Sequence, residues 1–75
     1  MDSLSGFVEK IKYRNEENGY SILSVESGGE DYVLVGTFPM ISEGEYISAE
    51  GHFQLHPTYG EQLAVETYEI KTPED

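Results

Sequence analysis

Cysteine and tryptophan are missing from this chain, and only four of its 75 residues are lysine or arginine. Without cysteine there can be neither a disulfide nor a thiolate metal site, a composition compatible with the cytoplasm. No stretch approaches the ~20 apolar residues of a membrane span, and the N-terminus lacks a signal-peptide core. The expectation is a soluble cytoplasmic domain with no membrane partner. The shortage of basic residues is set against 15 acidic ones, a net charge of −11. Such a field repels polyphosphate over a Debye length of ~8 Å at physiological salt. Nucleic-acid binding normally begins with the opposite sign. Length imposes a further limit. A chain this short hides only ~60% of its unfolded surface, so it is one domain with a thin core, expected to be monomeric in isolation.

What the chain does have is strand-like segments separated by strong turn residues. The run Tyr13-Arg14-Asn15-Glu16-Glu17-Asn18-Gly19-Tyr20 lies between two of them. Asn and Gly accept left-handed backbone angles at little cost, so Asn18-Gly19 predicts a hairpin. Leu4 to Tyr13 forms the first strand. Its apolar parity shifts between Val8 and Ile11, which predicts one β-bulge near Glu9-Lys10. Tyr20 to Ser27 is the second strand, with Ile22 on one face and Leu23 and Val25 on the other. A Gly28-Gly29 turn leads into a third strand, Asp31 to Phe38, centred on Val33-Leu34-Val35. Pro39 should stop that ladder, and Met40 to Gly44 is expected to form a connection with a turn of helix. Glu45 to Leu55 alternates as a fourth strand, with Ile47, Ala49, Gly51, Phe53 and Leu55 on one face. Pro57 and Gly60 break the next loop, around His56 and Tyr59. The fifth strand, Glu61 to Ile70, changes parity between Val65 and Tyr68, and Lys71 to Asp75 form a polar tail.

Five short strands with two parity breaks predict an all-β fold, a small five-stranded OB-like Greek-key barrel. An SH3-like barrel is the alternative. Gly36 and Gly51 are expected at tight curvature or close backbone approach.

No residues assemble into a catalytic set. There is no phosphate-binding loop of the Gly-rich, Lys-Ser/Thr type, and Gly28-Gly29 is followed by Glu30 and Asp31. His52 and His56 would lie ~13 Å apart on an extended strand, too far to share a metal, and read as surface or turn residues. Carboxylates are so frequent that no single pair is informative. No nucleophile-His arrangement exists. Catalytic, cofactor and metal residues are therefore expected to be none.

Three of the four basic residues sit together. Lys10, Lys12 and Arg14 alternate along the first strand and project from one face unless a bulge interrupts them. With Tyr13 beside them they are the candidate nucleic-acid contacts, since basic groups beside aromatics on a β surface are how OB modules hold single strands. Tyr20 is a further ring near the stripe, and Tyr32, Tyr46, Tyr59 and Tyr68 read as half-exposed strand residues. The plain alternative is that the cations' stems cover apolar surface.

Gly6-Phe7-Val8-Glu9-Lys10-Ile11 followed by Tyr13 to Tyr20 resembles the start of the RecD-like DNA helicases of the YrrC type, relatives of the exodeoxyribonuclease V alpha subunit. Val35-Gly36-Thr37-Phe38-Pro39, Gly44-Glu45, Glu50-Gly51 and Tyr59-Gly60-Glu61-Gln62-Leu63 match the same N-terminal module in order, so the resemblance runs from Leu4 to about Thr72. It implies a non-catalytic N-terminal fragment of a longer bacterial helicase that unwinds DNA 5′ to 3′ in repair and recombination. ATP and magnesium would belong to the full-length protein, whose motifs lie beyond residue 75. The implied partners are the rest of the helicase chain or a repair protein, with DNA reached through the full-length protein. The expected role is docking; weak single-strand contact is the alternative.

Overall fold

The computed structural model describes residues 1–38, 40–58 and 60–71. The readings made for Pro39, Tyr59 and the tail beyond Lys71 lie outside them. Five strands follow one another: β1 (Asp2–Arg14), β2 (Tyr20–Ser27), β3 (Glu30–Thr37), β4 (Tyr46–His56) and β5 (Gly60–Lys71). They close into a barrel in the order β1-β2-β3-β5-β4, with β4 pairing back onto β1. All neighbours are antiparallel except β3 and β5, which run parallel through Leu34–Leu63 and Val35–Ala64. A meander would have set β4 beside β3. This order is the OB-like Greek key, so the SH3-like alternative falls.

The turns form where the residues allow them. Gly28 and Gly29 both have positive φ, 60° and 86°, as a two-residue hairpin of the type I′ class requires. In the β1–β2 hairpin Gly19 has φ 78°. The Asn15 and Asn18 side-chain oxygens accept from the Glu17 and Tyr20 amides, so both asparagines shape the turn. Gly19 is buried, and its carbonyl oxygen accepts from both the Phe38 amide and the Ser21 hydroxyl. The hairpin is thereby tied to the end of β3.

β1 carries two register breaks, not one. Val8 faces Val25 and Lys10 faces Ser24, so Glu9 is extra; Ile11 faces Leu23 and Tyr13 faces Ile22, so Lys12 is extra too. Each extra residue inverts the parity of everything after it. The inward set is therefore Val8, Ile11 and Arg14, opposite the buried Val25, Leu23 and Ser21. The β5 parity break is confirmed. Glu50 faces Thr67 while Gly51 faces Val65, leaving Glu66 extra and turning both Val65 and Tyr68 towards the core.

Beyond Phe7, β1 leaves β4, and the connection from β3 takes its place along that edge. Val8 exchanges backbone bonds with Glu45 and Gly44, the Ile11 amide donates to the Glu43 carboxylate at 3.0 Å, and Arg14 reaches Ile41. The expected turn of helix at Met40–Gly44 is absent. That segment forms two turns, each closed by a bond three residues back (Ile41 to Phe38, Glu45 to Ser42), and its other backbone bonds go to Val8 on β1. Phe38 and Ile41 drop into the core from this connection, where Phe38 meets Tyr68 edge-on at 4.9 Å.

Gly51 allows the barrel to close. A Cβ there would overlap the Ala64 carbonyl oxygen and come within 2.9 Å of the Val65 backbone. At Gly36 a Cβ would meet the Val65 oxygen at 3.2 Å and the Phe38 ring at 3.3 Å. The inward face of β4 outruns the barrel. Ile47, Ala49 and Gly51 are buried, but Phe53 is 36% and Leu55 81% exposed, so the reading of one buried face holds only for its first half.

Candidate functional site

The second bulge in β1 decides the fate of the basic stripe. Lys10 and Tyr13 point outward, paired with Ser24 and Ile22, and Lys12 sits at the bulge between them. Arg14 does not join them. It faces Ser21 on the inward side, its guanidinium Nη2 donates to the Ile41 carbonyl, and its Nε is buried without a partner. Of the four candidate contacts, three share the outer surface and the fourth braces the connection between β3 and β4.

Lys12 and Tyr13 border a groove of about 360 Å³ on the outer surface of β1, β2, β3 and β5, lined also by Ile22, Val33 and Gln62. Its floor comes from alternation. Ser24 pairs with Val33, and Ile22 with Val35, so the outward residues of β2 and β3 form adjacent rows. Val35, paired with Ile22, is only 5% exposed yet stands outside the core cluster. Gln62 is 4% exposed, and its side-chain oxygen receives the Gln54 amide at 3.5 Å, long for a hydrogen bond. Tyr13 remains 49% exposed, with a face free to stack.

Carboxylates occupy the end of this surface. Glu26 faces Asp31 across β2 and β3. The first bulge brings Glu9 to the same place, where a hydrogen bond with Asp31, then desolvation, then the charges of Asp31 and Glu26 raise its pKa above the usual carboxylate value. Val33 also lines a neighbouring recess of about 510 Å³ with Glu30, Asp31, Tyr32, Phe53 and Glu61. Tyr32 donates to Glu30 at 3.0 Å, and its hydroxyl pKa is raised by that bond and by the charge of Glu30. The outer surface thus forms three cross-strand rows: Tyr13, Ile22 and Val35, then Lys10, Ser24 and Val33, then Phe7, Glu26 and Asp31 at the negative end.

Among the described residues the remaining polar groups form no comparable site. His52 lies 2.9 Å from the Glu66 carboxylate in an exposed pair, and His56 Nδ1 accepts the Thr58 amide. Among the described residues no group of three metal-ligating side chains comes together. A recess of about 390 Å³ beside Arg14 is bordered by Glu16 and Glu17, an unwelcoming rim for an anion.

Sequence reasoning found the lysine-tyrosine edge but not Ile22, Val33 and Gln62 as parts of one surface. A signal was present: Val33, Leu34 and Val35 are consecutive, so β3 must be apolar on both faces, and the second apolar face needs a cover.

Compared with known protein families, residues 1–73 match the one described as "ATP-dependent DNA helicase YrrC, OB-fold domain". No curated protein and no solved structure matches the chain.

Proposed function

We propose, given that this chain belongs to the family of OB-fold domains of the ATP-dependent DNA helicase YrrC, that it is a non-catalytic docking module of a longer helicase. Its partner is the remainder of the helicase chain or a repair protein, bound on the outer surface of β1, β2 and β3. ATP- and magnesium-dependent 5′ to 3′ unwinding of DNA belongs, in this reading, to other parts of the protein.

One observation carries it. The surface on which OB modules hold single strands has Glu9, Glu26 and Asp31 gathered at one end, and it has lost Arg14 to the interior. Two lysines beside three carboxylates, on a body of charge −11, make a poor phosphate track. They suit a protein surface of opposite charge, where complementarity steers association. The test is titration of the purified domain with the rest of the helicase chain, produced separately. Association that weakens with salt supports docking; its absence both in trans and in the intact chain rejects it.

A second reading rests on Tyr13, whose exposed ring beside Lys10 and Lys12 offers one stacking position for a base. A labelled oligonucleotide at low salt distinguishes the two. Binding lost on replacing Lys10 and Lys12 with Ala favours strand contact, and no binding removes it. Arg14 is left out of that test because its replacement disturbs the fold.

A further inference from the structure

We infer that the outer groove receives an extended protein segment in which an apolar side chain lies two residues from a lysine or arginine. This inference rests on the docking reading and gives that partner its chemistry.

Three independent features fit together. The groove of about 360 Å³ is walled by Tyr13, Ile22 and Val33, apolar groups on the outside of a barrel whose own core is complete without them. An apolar side chain laid there completes their burial. Gln62 borders the same groove and is 4% exposed, while the bond described for its carboxamide is the long one from Gln54. A carboxamide has two donors and an acceptor oxygen. The capacity left over at the groove suits the backbone of an extended segment, which presents both kinds of group.

The third feature is charge and its spacing. Asp31 and Val33 lie two apart on β3, on the same outward side, and Asp31 faces Glu26. Two residues along a strand span ~6.6 Å. A segment running along β3 with its apolar anchor against Val33 therefore brings the side chain two positions away to Asp31, Glu26 and Glu9. A basic group there meets three carboxylates, one already pushed towards its neutral form by the others. A phosphate in that position meets the same three charges and is repelled. A second copy of this chain would carry its own excess of negative charge to the site.

The probe is a capped octapeptide of Gly and Ser carrying one Leu and, two positions away, one Arg, titrated into the isotope-labelled chain and followed by amide chemical shifts. Shifts are expected at Tyr13, Ile22, Asp31, Val33 and Gln62. Changing the peptide Arg to Glu, or making Glu26→Gln with Asp31→Asn in the chain, weakens binding by about tenfold. Ile22→Ser removes binding while the spectrum remains that of a folded barrel. Equal binding of the Arg and Glu peptides overturns the inference, as do shifts confined to another surface. So does a thymidine octamer that moves these residues when the peptide does not. If the rest of the helicase chain binds wild type and the Glu26→Gln, Asp31→Asn variant equally, this segment chemistry falls and docking stands. If it does not bind wild type at all, the docking reading falls and takes this inference with it.

Discussion

Arg14 donates from its guanidinium to the carbonyl oxygen of Ile41. The bond joins the last residue of β1 to the connection that carries Ile41 and Phe38 into the core. A residue expected to meet solvent and nucleic acid instead holds a barrel end in place. The buried, unpartnered Nε is a cost of that arrangement, offset by the charged hydrogen bond and by packing of the stem.

Arg14→Ala should destabilise the domain by about 1.5–3 kcal/mol, the range for losing a hydrogen bond made by a charged group, with the stem packing lost as well. Lys10→Ala and Lys12→Ala should each stay within about 0.5 kcal/mol, as exposed residues do. Urea unfolding of the three variants measures this. Equal effects at all three positions would return Arg14 to the surface stripe.

Glycine at 51 is required by a backbone approach, whereas glycine at 36 relieves only moderate crowding. Gly51→Ala should cost about 2–3 kcal/mol, because the added methyl meets backbone atoms that cannot move without opening the barrel. Gly36→Ala meets the Val65 oxygen and the Phe38 ring at distances a small shift can absorb, and should cost about 1 kcal/mol or less. Thermal melts of both variants give the ranking, and a reversed order contradicts the closure geometry.

Phe38 is fully buried and packs edge-on against Tyr68. Phe38→Ala should cost about 3–5 kcal/mol, enough to unfold much of a domain with so thin a core. Phe38→Leu keeps most of the volume and should cost about 1–2 kcal/mol. Circular dichroism and the dispersion of amide signals report both. A well-folded Phe38→Ala domain of near wild-type midpoint would show that the connection does not anchor the barrel.

Acid should affect Glu9 in the opposite sense to a paired carboxylate. Its folded pKa is raised, so the folded state binds more protons than the unfolded state between the ordinary value of 4.5 and the folded value. The Glu9 contribution to stability therefore falls as pH rises through that window and stays unfavourable at neutral pH. Glu9→Gln should raise the melting temperature at pH 7, with the gain vanishing below pH 4.5. Paired melts at pH 7 and pH 4 check it; a gain that grows on acidification refutes the carboxylate contact.

Much of the fold was legible because strand alternation, turn glycines and parity breaks are local. Two-residue periodicity alone sets Leu23 and Val25 on one face and Ile22 on the other, and the structure buries the Leu23-Val25 face. The Asn18-Gly19 and Gly28-Gly29 turns follow from backbone angles those residues reach without strain. Met40–Gly44 is the expected connection but holds no turn of helix, because Gly44 and Glu43 bond to β1, more than thirty residues earlier in the chain. The candidate site was legible at its β1 edge only. Ile22, Val33 and Gln62 come from three strands, and no spacing in the chain marks them as neighbours.

The sequence by itself determined the five strands, the barrel class, the acidic field and the resemblance to a helicase module. The tertiary structure decided which residues share a side. Every bulge reverses the faces of all residues that follow it, and whether β1 has one bulge or two is set by pairing with β2. One bulge would have left Arg14 with Lys10; the second places it under Ile41, while the first alone brings Glu9 to Glu26 and Asp31. An inversion of that kind depends on a partner strand, so alternation within β1 could not reveal it.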